Sequence, residues 1–299
     1  MRTTVVFLIS LAALLLCGSL FAWPLQLLLS GLVGLPFNKV LHFSLVLTAL
    51  AGALLYLRAT HGVWMLLGVN TSSSTRRRQF LSGFCAGILI LVSVEITLHL
   101  LGMRQPDPDL QAGAAAFLLA VLKALLSGLL VGLIEELTYR GAILEGFMRH
   151  SLPTFALLLS SLLYAAVHFI ELPDTDPQSG IHWYSGVLLL GRGFHAFQDP
   201  GIWDSFTTLF LLGLLLCLVR LRTGNLVACI GLHAGIVTLS KVLAFATDYR
   251  EGSPWAYLIN LPDQPNGHLA SGYLLLCLML YHYLSRVRPA GNNSIIPRV

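Results

Sequence analysis

Apolar runs close to the ~20 residues that carry a helix across a bilayer recur from one end of this sequence to the other, and they leave little room for anything but a membrane fold. Eight stretches qualify as candidate spans: 5–21, 41–57, 80–101, 114–134 running on as helix, 154–169, 206–219, 226–245 and 269–284. The sixth of them is short. A soluble domain has no means of hiding so much apolar surface, since 56% of the 299 residues are hydrophobic, 11% are charged and the mean hydropathy is +0.77. The expected fold class is all-α: a polytopic transmembrane helix bundle of about eight spans, one domain over 1–299 with a catalytic core at 114–245. Segment 23–35 is apolar too. Its Pro24, Gly31, Gly34 and the following Pro36 suggest a re-entrant or interfacial piece and not a further span.

Charge placement tests that count, because Lys and Arg favour the cytoplasmic side. With the N-terminus inside, Arg2, Arg58, Arg76, Arg77, Arg78, Arg140, Arg149, Arg220, Arg222, Arg286, Arg288 and Arg298 face the cytoplasm, 12 of the 18 basic residues. The outer connections carry Lys39, Arg104, Arg192 and Arg250 among acidic Asp107, Asp109, Glu171, Asp174, Asp176, Asp199 and Asp204. Both termini are therefore expected in the cytoplasm, with the chain in a bacterial inner membrane. The pI near 8.9 reflects this asymmetry and not nucleic-acid binding.

The first apolar run reads as an uncleaved helix, because no small-x-small pair follows it and Leu16 before Cys17 is too large for lipoprotein processing. Cys17, Cys85, Cys217, Cys229 and Cys277 lie scattered in apolar segments without a C-x-x-C pair. They read as small core residues, with neither a disulfide framework nor a thiolate metal site. The long connection 171–204, rich in Pro, Gly, His and Trp, is expected to be partly ordered and packed on the helices.

Ionisable groups inside apolar spans cost roughly 2.5–3.5 kcal/mol each on insertion, so those that occur are functional candidates. Here they are Glu95, His99, Lys123, Glu135, Glu136, His168, His233 and Lys241. Glu136 and Arg140 are four apart, share a helix face and can pair. Glu135 lies ~100° around the helix and is left free, as a catalytic base must be. A tight turn near Ser151 and Pro153 would fold the flanking helices into an antiparallel hairpin and bring His168 level with Glu135. His233 lies 11 residues past Arg222, ~16 Å into the membrane, beside the small residues Gly231, Ala234 and Gly235.

A carboxylate and two imidazoles in a dry cavity can activate water, with Glu135 as base, His168 holding the water and His233 donating to the oxyanion. The same groups can ligate zinc and lower the pKa of its water. Residue types admit both chemistries. The zinc reading consumes all three as ligands and leaves as base only Glu136, already paired with Arg140, so a metal-free site without cofactor is the expectation.

These residues resemble the type II CAAX prenyl protease and bacteriocin-processing (CPBP, or Abi) family of intramembrane glutamic peptidases. The resemblance runs from about Leu118 to Lys241 and rests on E-E-x-x-x-R at Glu135, Glu136 and Arg140, an F-x-x-x-H-like motif ending at His168, and a third motif centred on His233. It implies that Glu135 and His168 activate water, that His233 helps bind the oxyanion, and that the partners are membrane lipids and a peptide or protein substrate, lipidated ones included. Tyr164 replaces the usual Phe, and Val237 stands where many members have Asn, so a second oxyanion donor would come from a residue such as Thr238 or Ser240.

H-E-x-x-H, G-x-G-D and G-x-S-G motifs are missing from the sequence. Glu95 and His99, four apart in the third span, suggest a structural pair or a proton relay. The relay defines the alternative function, a proton-coupled secondary transporter; a catalytically inactive scaffold of the same fold is the other alternative.

Overall fold

Hydrophobic helices in lipid must satisfy their backbone internally, and this chain does so almost entirely with α-helix. The computed structural model describes residues 2–30, 34–60, 62–107, 113–174, 180–250, 252–259 and 267–287; Gly31, Asp109, Asp176, Arg288 and Arg298, invoked above, lie outside them. The helices are α1 (Arg2–Leu29), α2 (Phe37–Thr60), the short α3 (Val63–Leu66), α4 (Ser73–Leu100), α5 (Ala114–Glu136) and α6 (Leu144–His150). They continue with α7 (Pro153–Val167), α8 (Ser185–Gly193), α9 (Trp203–Thr223), α10 (Val227–Ala246) and α11 (His268–Val287). Among the described residues, six helical stretches are long and apolar enough to cross a membrane: Thr4–Leu29, Phe37–Thr60, Ser73–Leu100, Ala114–His150, Pro200–Thr223 and Val227–Ala246. Two shorter apolar helices, Pro153–Val167 and His268–Leu284, stand at the fifth and eighth expected spans. The run 206–219, short in the sequence, lies within the full-length α9.

Several expectations change. Segment 23–35 is not a separate re-entrant piece up to Leu29, because α1 continues through Pro24; the one backbone bond that Pro withholds does not stop a helix of apolar residues in this setting. Among the described residues the fold is all-α apart from a small antiparallel ribbon that pairs β1 (Arg104–Pro106) with β2 (Thr247–Tyr249). That ribbon folds Arg104 inward, where it is buried and its Nε lies 3.5 Å from Glu95 Oε1. Glu95 thus takes Arg104 as its ionic partner, and among the described contacts it has no hydrogen bond to His99. A full guanidinium charge outcompetes an imidazole for a half-buried carboxylate. Of the cysteines, Cys217 and Cys229 are buried as expected, while Cys17 and Cys85 face outward. The 171–204 connection is ordered over its described part and folds α8 onto α1, with Gly186 against the Ser19 carbonyl.

Helix α10 is the hub of the bundle, held between α4 and α5 by glycines spaced four apart on all three helices. A methyl group on Gly83 or Gly87 of α4 would collide with the carbonyls of Ala228 and Leu232, and one on Gly231 or Gly235 of α10 with those of Phe80 and Phe84. Gly128 and Gly132 of α5 meet Thr238, Ala234 and Ile230 in the same way. In lipid, where no hydrophobic force drives helices together, such backbone approach is the main source of association. The contacts also fix direction: α10 runs parallel to α4 and antiparallel to α5. They bring the starts of α4 and α10 and the ends of α6 and α9 to one end of the bundle, with Arg76, Arg77, Arg78, Arg149, Arg220 and Arg222.

Gly87→Val should wedge α4 from α10 at the Leu232 carbonyl, destabilising the protein by more than the ~1–3 kcal/mol of ordinary overpacking, because backbone cannot step aside. Gly272→Ala in α11, where nothing lies within 4 Å of the added methyl, should leave the melting temperature in detergent unchanged or slightly raised. A thermal-denaturation comparison of the two variants checks this.

Candidate active site

Glu135 and Glu136 close α5, and the next turn widens into a π-helical stretch, Leu137–Ile143, before α6 resumes the rod. Such local widening recurs at functional sites. The rod ends at His150, Ser151 and Leu152 make the turn, and Pro153 opens α7 at a position where its missing N–H is harmless. The predicted hairpin therefore forms and carries His168, at the C-terminal cap of α7, back to the level of Glu135.

The three candidate residues meet. Glu135 Oε2 lies 3.8 Å from His168 Nε2 and 3.7 Å from His233 Nε2. Both separations are too long for direct hydrogen bonds and suit one shared water; the same Oε2 is buried without a hydrogen-bond partner among the described residues. The other ring nitrogens show where each imidazole must carry a proton. His168 Nδ1 stands 2.7 Å from the Tyr164 carbonyl, which can only accept, so Nδ1 carries the proton and Nε2 faces Glu135. His233 Nδ1 stands 2.8 Å from Glu136 Oε1 and likewise donates.

Glu136 is consequently more than a partner for Arg140. Its Oε1 accepts from Arg140 Nη1 at 2.8 Å and from His233 Nδ1 at 2.8 Å, with its side chain wholly buried. The Arg140 guanidinium lies 4.2 Å from the centre of the Tyr164 ring, a cation–π contact in a desolvated setting. Tyr164 in turn meets the rings of His168, His233 and Tyr139 edge-on at 4.7, 6.1 and 5.2 Å. The sequence showed the Glu136–Arg140 pair because it is local, at i and i+4. The Glu136–His233 bond spans 97 residues, and no local signal announced it. Tyr164 was legible only as a motif position, not as the aromatic floor of the site.

The site opens into a cavity of about 490 Å³ that follows α10 from His233 past Val237 to Ser240 and Lys241, with Glu171 and Ser205 on its other walls. It extends toward the end of the bundle opposite the arginine-rich one. Of the two hydroxyls considered as oxyanion donors, Ser240 lines this cavity, whereas Thr238 turns to α5, its Oγ1 beside Gly128. Lys123 is exposed on α5.

Zinc bound tetrahedrally at ~2.0–2.1 Å would hold its ligand atoms about 3.4 Å apart. The Glu135 separations of 3.7 and 3.8 Å are wider, and among the described residues no group of three His, Cys, Asp or Glu side chains is arranged to hold a metal ion.

A Glu/His/His cluster on three helices of an apolar bundle, with His233 buried and Glu135 and His168 partly open, places the chain among integral membrane proteins with a polar centre. Residues 117–239 match the family described as type II CAAX prenyl endopeptidase, Rce1-like, so over that segment the resemblance drawn from the motifs holds. Comparison with curated proteins and with solved structures gave no match.

Removing one partner of the buried pair should be severe. Arg140→Ala leaves the Glu136 charge uncompensated and should cost about 3–5 kcal/mol. Glu136→Gln combined with Arg140→Met removes both charges and should cost clearly less than the sum of the single changes. Thermal denaturation of Glu136→Gln, Arg140→Met and the double variant in detergent measures this coupling.

Proposed function

We propose that the protein is an intramembrane endopeptidase that hydrolyses peptide bonds of membrane-associated or CAAX-like substrates through a water activated by Glu135. The observation that carries this reading is the unpartnered Glu135 Oε2 held 3.7 and 3.8 Å from two imidazole Nε2 atoms. A water there donates one hydrogen to Glu135 and the other to His168 Nε2, leaving a lone pair aimed at the substrate carbonyl carbon. On attack, the water proton passes to Glu135 and the carbonyl oxygen becomes an oxyanion. His233, protonated on both nitrogens, donates Nδ1–H to Glu136 and Nε2–H to that oxyanion. Glu135 then returns its proton to the leaving amide nitrogen as the C–N bond breaks. Ser240 is placed to contact the substrate further along the cavity. The family match over 117–239 supports protease chemistry. The transporter alternative has no comparable support, since Glu95 is held by Arg104.

Glu135→Gln keeps shape and removes basicity, so turnover should fall by roughly 10²–10⁴ while the melting temperature stays near that of wild type. Membrane proteomes of cells carrying wild type or Glu135→Gln, compared for new peptide termini, provide the readout. Identical termini in the two would indicate an inactive scaffold. Activity that survives dialysis against a strong chelator supports the metal-free route; stoichiometric zinc whose removal abolishes activity and whose return restores it makes Glu135 a ligand.

We further propose eight crossings with both termini cytoplasmic, α7 and α11 being the short ones. The arginine-rich end then faces the cytoplasm, and the catalytic cavity opens on the opposite side, toward Glu171, Ser205 and Lys241. Substrate bonds would enter from that face. Reporter fusions after Arg149 and Arg222 should read cytoplasmic and one after Asp174 external; the reverse at either arginine overturns the arrangement.

A further inference from the structure

Attack by the water at Glu135 turns the substrate carbonyl oxygen into an oxyanion, and preorganised donors aimed at that oxygen are the main means of stabilising it in acyl-transfer sites. His233 Nε2–H is one such donor. A tetrahedral oxygen has room for a second, and the walls of the catalytic cavity offer few side chains able to supply it. Val237, one turn beyond His233, is apolar. Ser240 lies ~10 Å past His233 along α10, too far to share an oxygen with its imidazole, and Lys241 beyond it is exposed at the mouth. On α9, the Thr208 hydroxyl is held by the Gly267 carbonyl at 3.1 Å and Ser271 Oγ at 2.9 Å. Ser205 stands nearer the start of that helix, at the end of the bundle away from the arginines.

Tyr164 is different. It lines the cavity at the centre itself, with its ring edge-on to His168 at 4.7 Å and to His233 at 6.1 Å. Its hydroxyl makes no hydrogen bond among the described residues, yet it is not one of the sealed, unpartnered polar atoms of the bundle. The remaining outlet for it is the cavity. Glu135, Arg140 and Glu136 are the charges that act on this phenol, and the Arg140 guanidinium lies 4.2 Å from the centre of its ring. A cation held against the ring favours negative charge drawn toward the phenol oxygen, which strengthens the O–H as a donor.

We propose that the Tyr164 hydroxyl donates a hydrogen bond to the oxyanion beside His233 Nε2–H, so that one tetrahedral oxygen is held from α7 and α10 at once. The phenol keeps its proton throughout. The water proton still goes to Glu135 and from there to the leaving nitrogen, while the electron pair of the carbonyl π bond comes to rest on the oxygen that both donors face. Such a bond reaches full strength only as charge develops, so it lowers the barrier without tightening substrate binding. This role rests on the peptidase reading, and the experiment separates the two.

Membranes of cells carrying wild type or Glu135→Gln are first compared for new peptide termini. A synthetic peptide spanning the most abundant terminus that depends on Glu135 then serves as substrate for the purified full-length protein in detergent. Tyr164→Phe keeps the ring against Arg140 and removes only the hydroxyl. It should lower kcat roughly 10²-fold and leave KM unchanged. Its melting temperature should be no lower than that of wild type, because no hydrogen bond within the protein is lost. A phosphinate analogue of the peptide, which carries a tetrahedral anionic oxygen without reacting, should bind Tyr164→Phe roughly 10²-fold more weakly than wild type. An unchanged kcat would leave the peptidase reading standing and overturn the role of Tyr164. A rise in KM alone would overturn it too, since the hydroxyl would then hold substrate and transition state equally. A melting temperature that falls together with kcat would make the hydroxyl a structural group instead. If wild type and Glu135→Gln give the same termini, the peptidase reading fails and the role of Tyr164 fails with it.

Discussion

The wholly buried carboxylate of Glu136 is the constraint around which the centre of this protein is arranged. An anion in the middle of an apolar bundle is tolerable only when it is neutralised and hydrogen-bonded. Arg140 supplies the charge from the same helix, and His233 supplies a second donor from α10. Those two bonds tie α5 to α10 at one point and dictate which nitrogen of His233 is free. Arg140, itself buried, is covered by the face of Tyr164 from α7. The charge pair thus recruits all three helices that carry the candidate groups, and the orientation of the site follows from neutralising Glu136 through Oε1.

That arrangement needs α10 close to its neighbours, and the glycine contacts provide the approach. With backbone touching backbone at Gly83, Gly87, Gly231 and Gly235, α10 has little freedom to slide or turn. A 1 Å shift of His233 would break its bond to Glu136 and alter its distance to Glu135. Small residues therefore act here as the positioning device for a polar centre, a role that ordinary side-chain packing fills in soluble enzymes.

Much of this was legible in the sequence, for reasons that can be named. Span positions were readable because lipid demands long apolar helices, and the hairpin because Ser151 and Pro153 interrupt one. Glu135, His168 and His233 stood out because ionisable groups are rare in such runs. What escaped the reading was non-local. The bond between Glu136 and His233 and the capture of Glu95 by Arg104 depend on tertiary approach, and the ribbon that delivers Arg104 is too short to leave a periodic signal. The four-residue glycine spacings on α4, α5 and α10 were visible, but a spacing does not say which helix it will meet. Pro24 misled because, together with Gly31, Gly34 and Pro36, it suggested a break, whereas α1 runs on through it to Leu29.

Adjacent glutamates with different surroundings are the clearest link from packing to chemistry. Glu135 and Glu136 differ by one residue and ~100° of helix rotation, yet the side chain of one is 25% exposed and that of the other 0%. Glu136 has both of its strong partners fixed in place, so moving a proton to or from it would break bonds that hold three helices together. Oε2 of each glutamate lacks a hydrogen-bond partner among the described residues, but only Glu135 lines the cavity. Under the proposed mechanism it would take up and return the water proton while the frame stays still. A base that must cycle through two protonation states in each turnover needs that freedom, and its neighbour must be denied it, because a centre in which both carboxylates titrated would lose the orientation of His233 whenever Glu136 took up a proton.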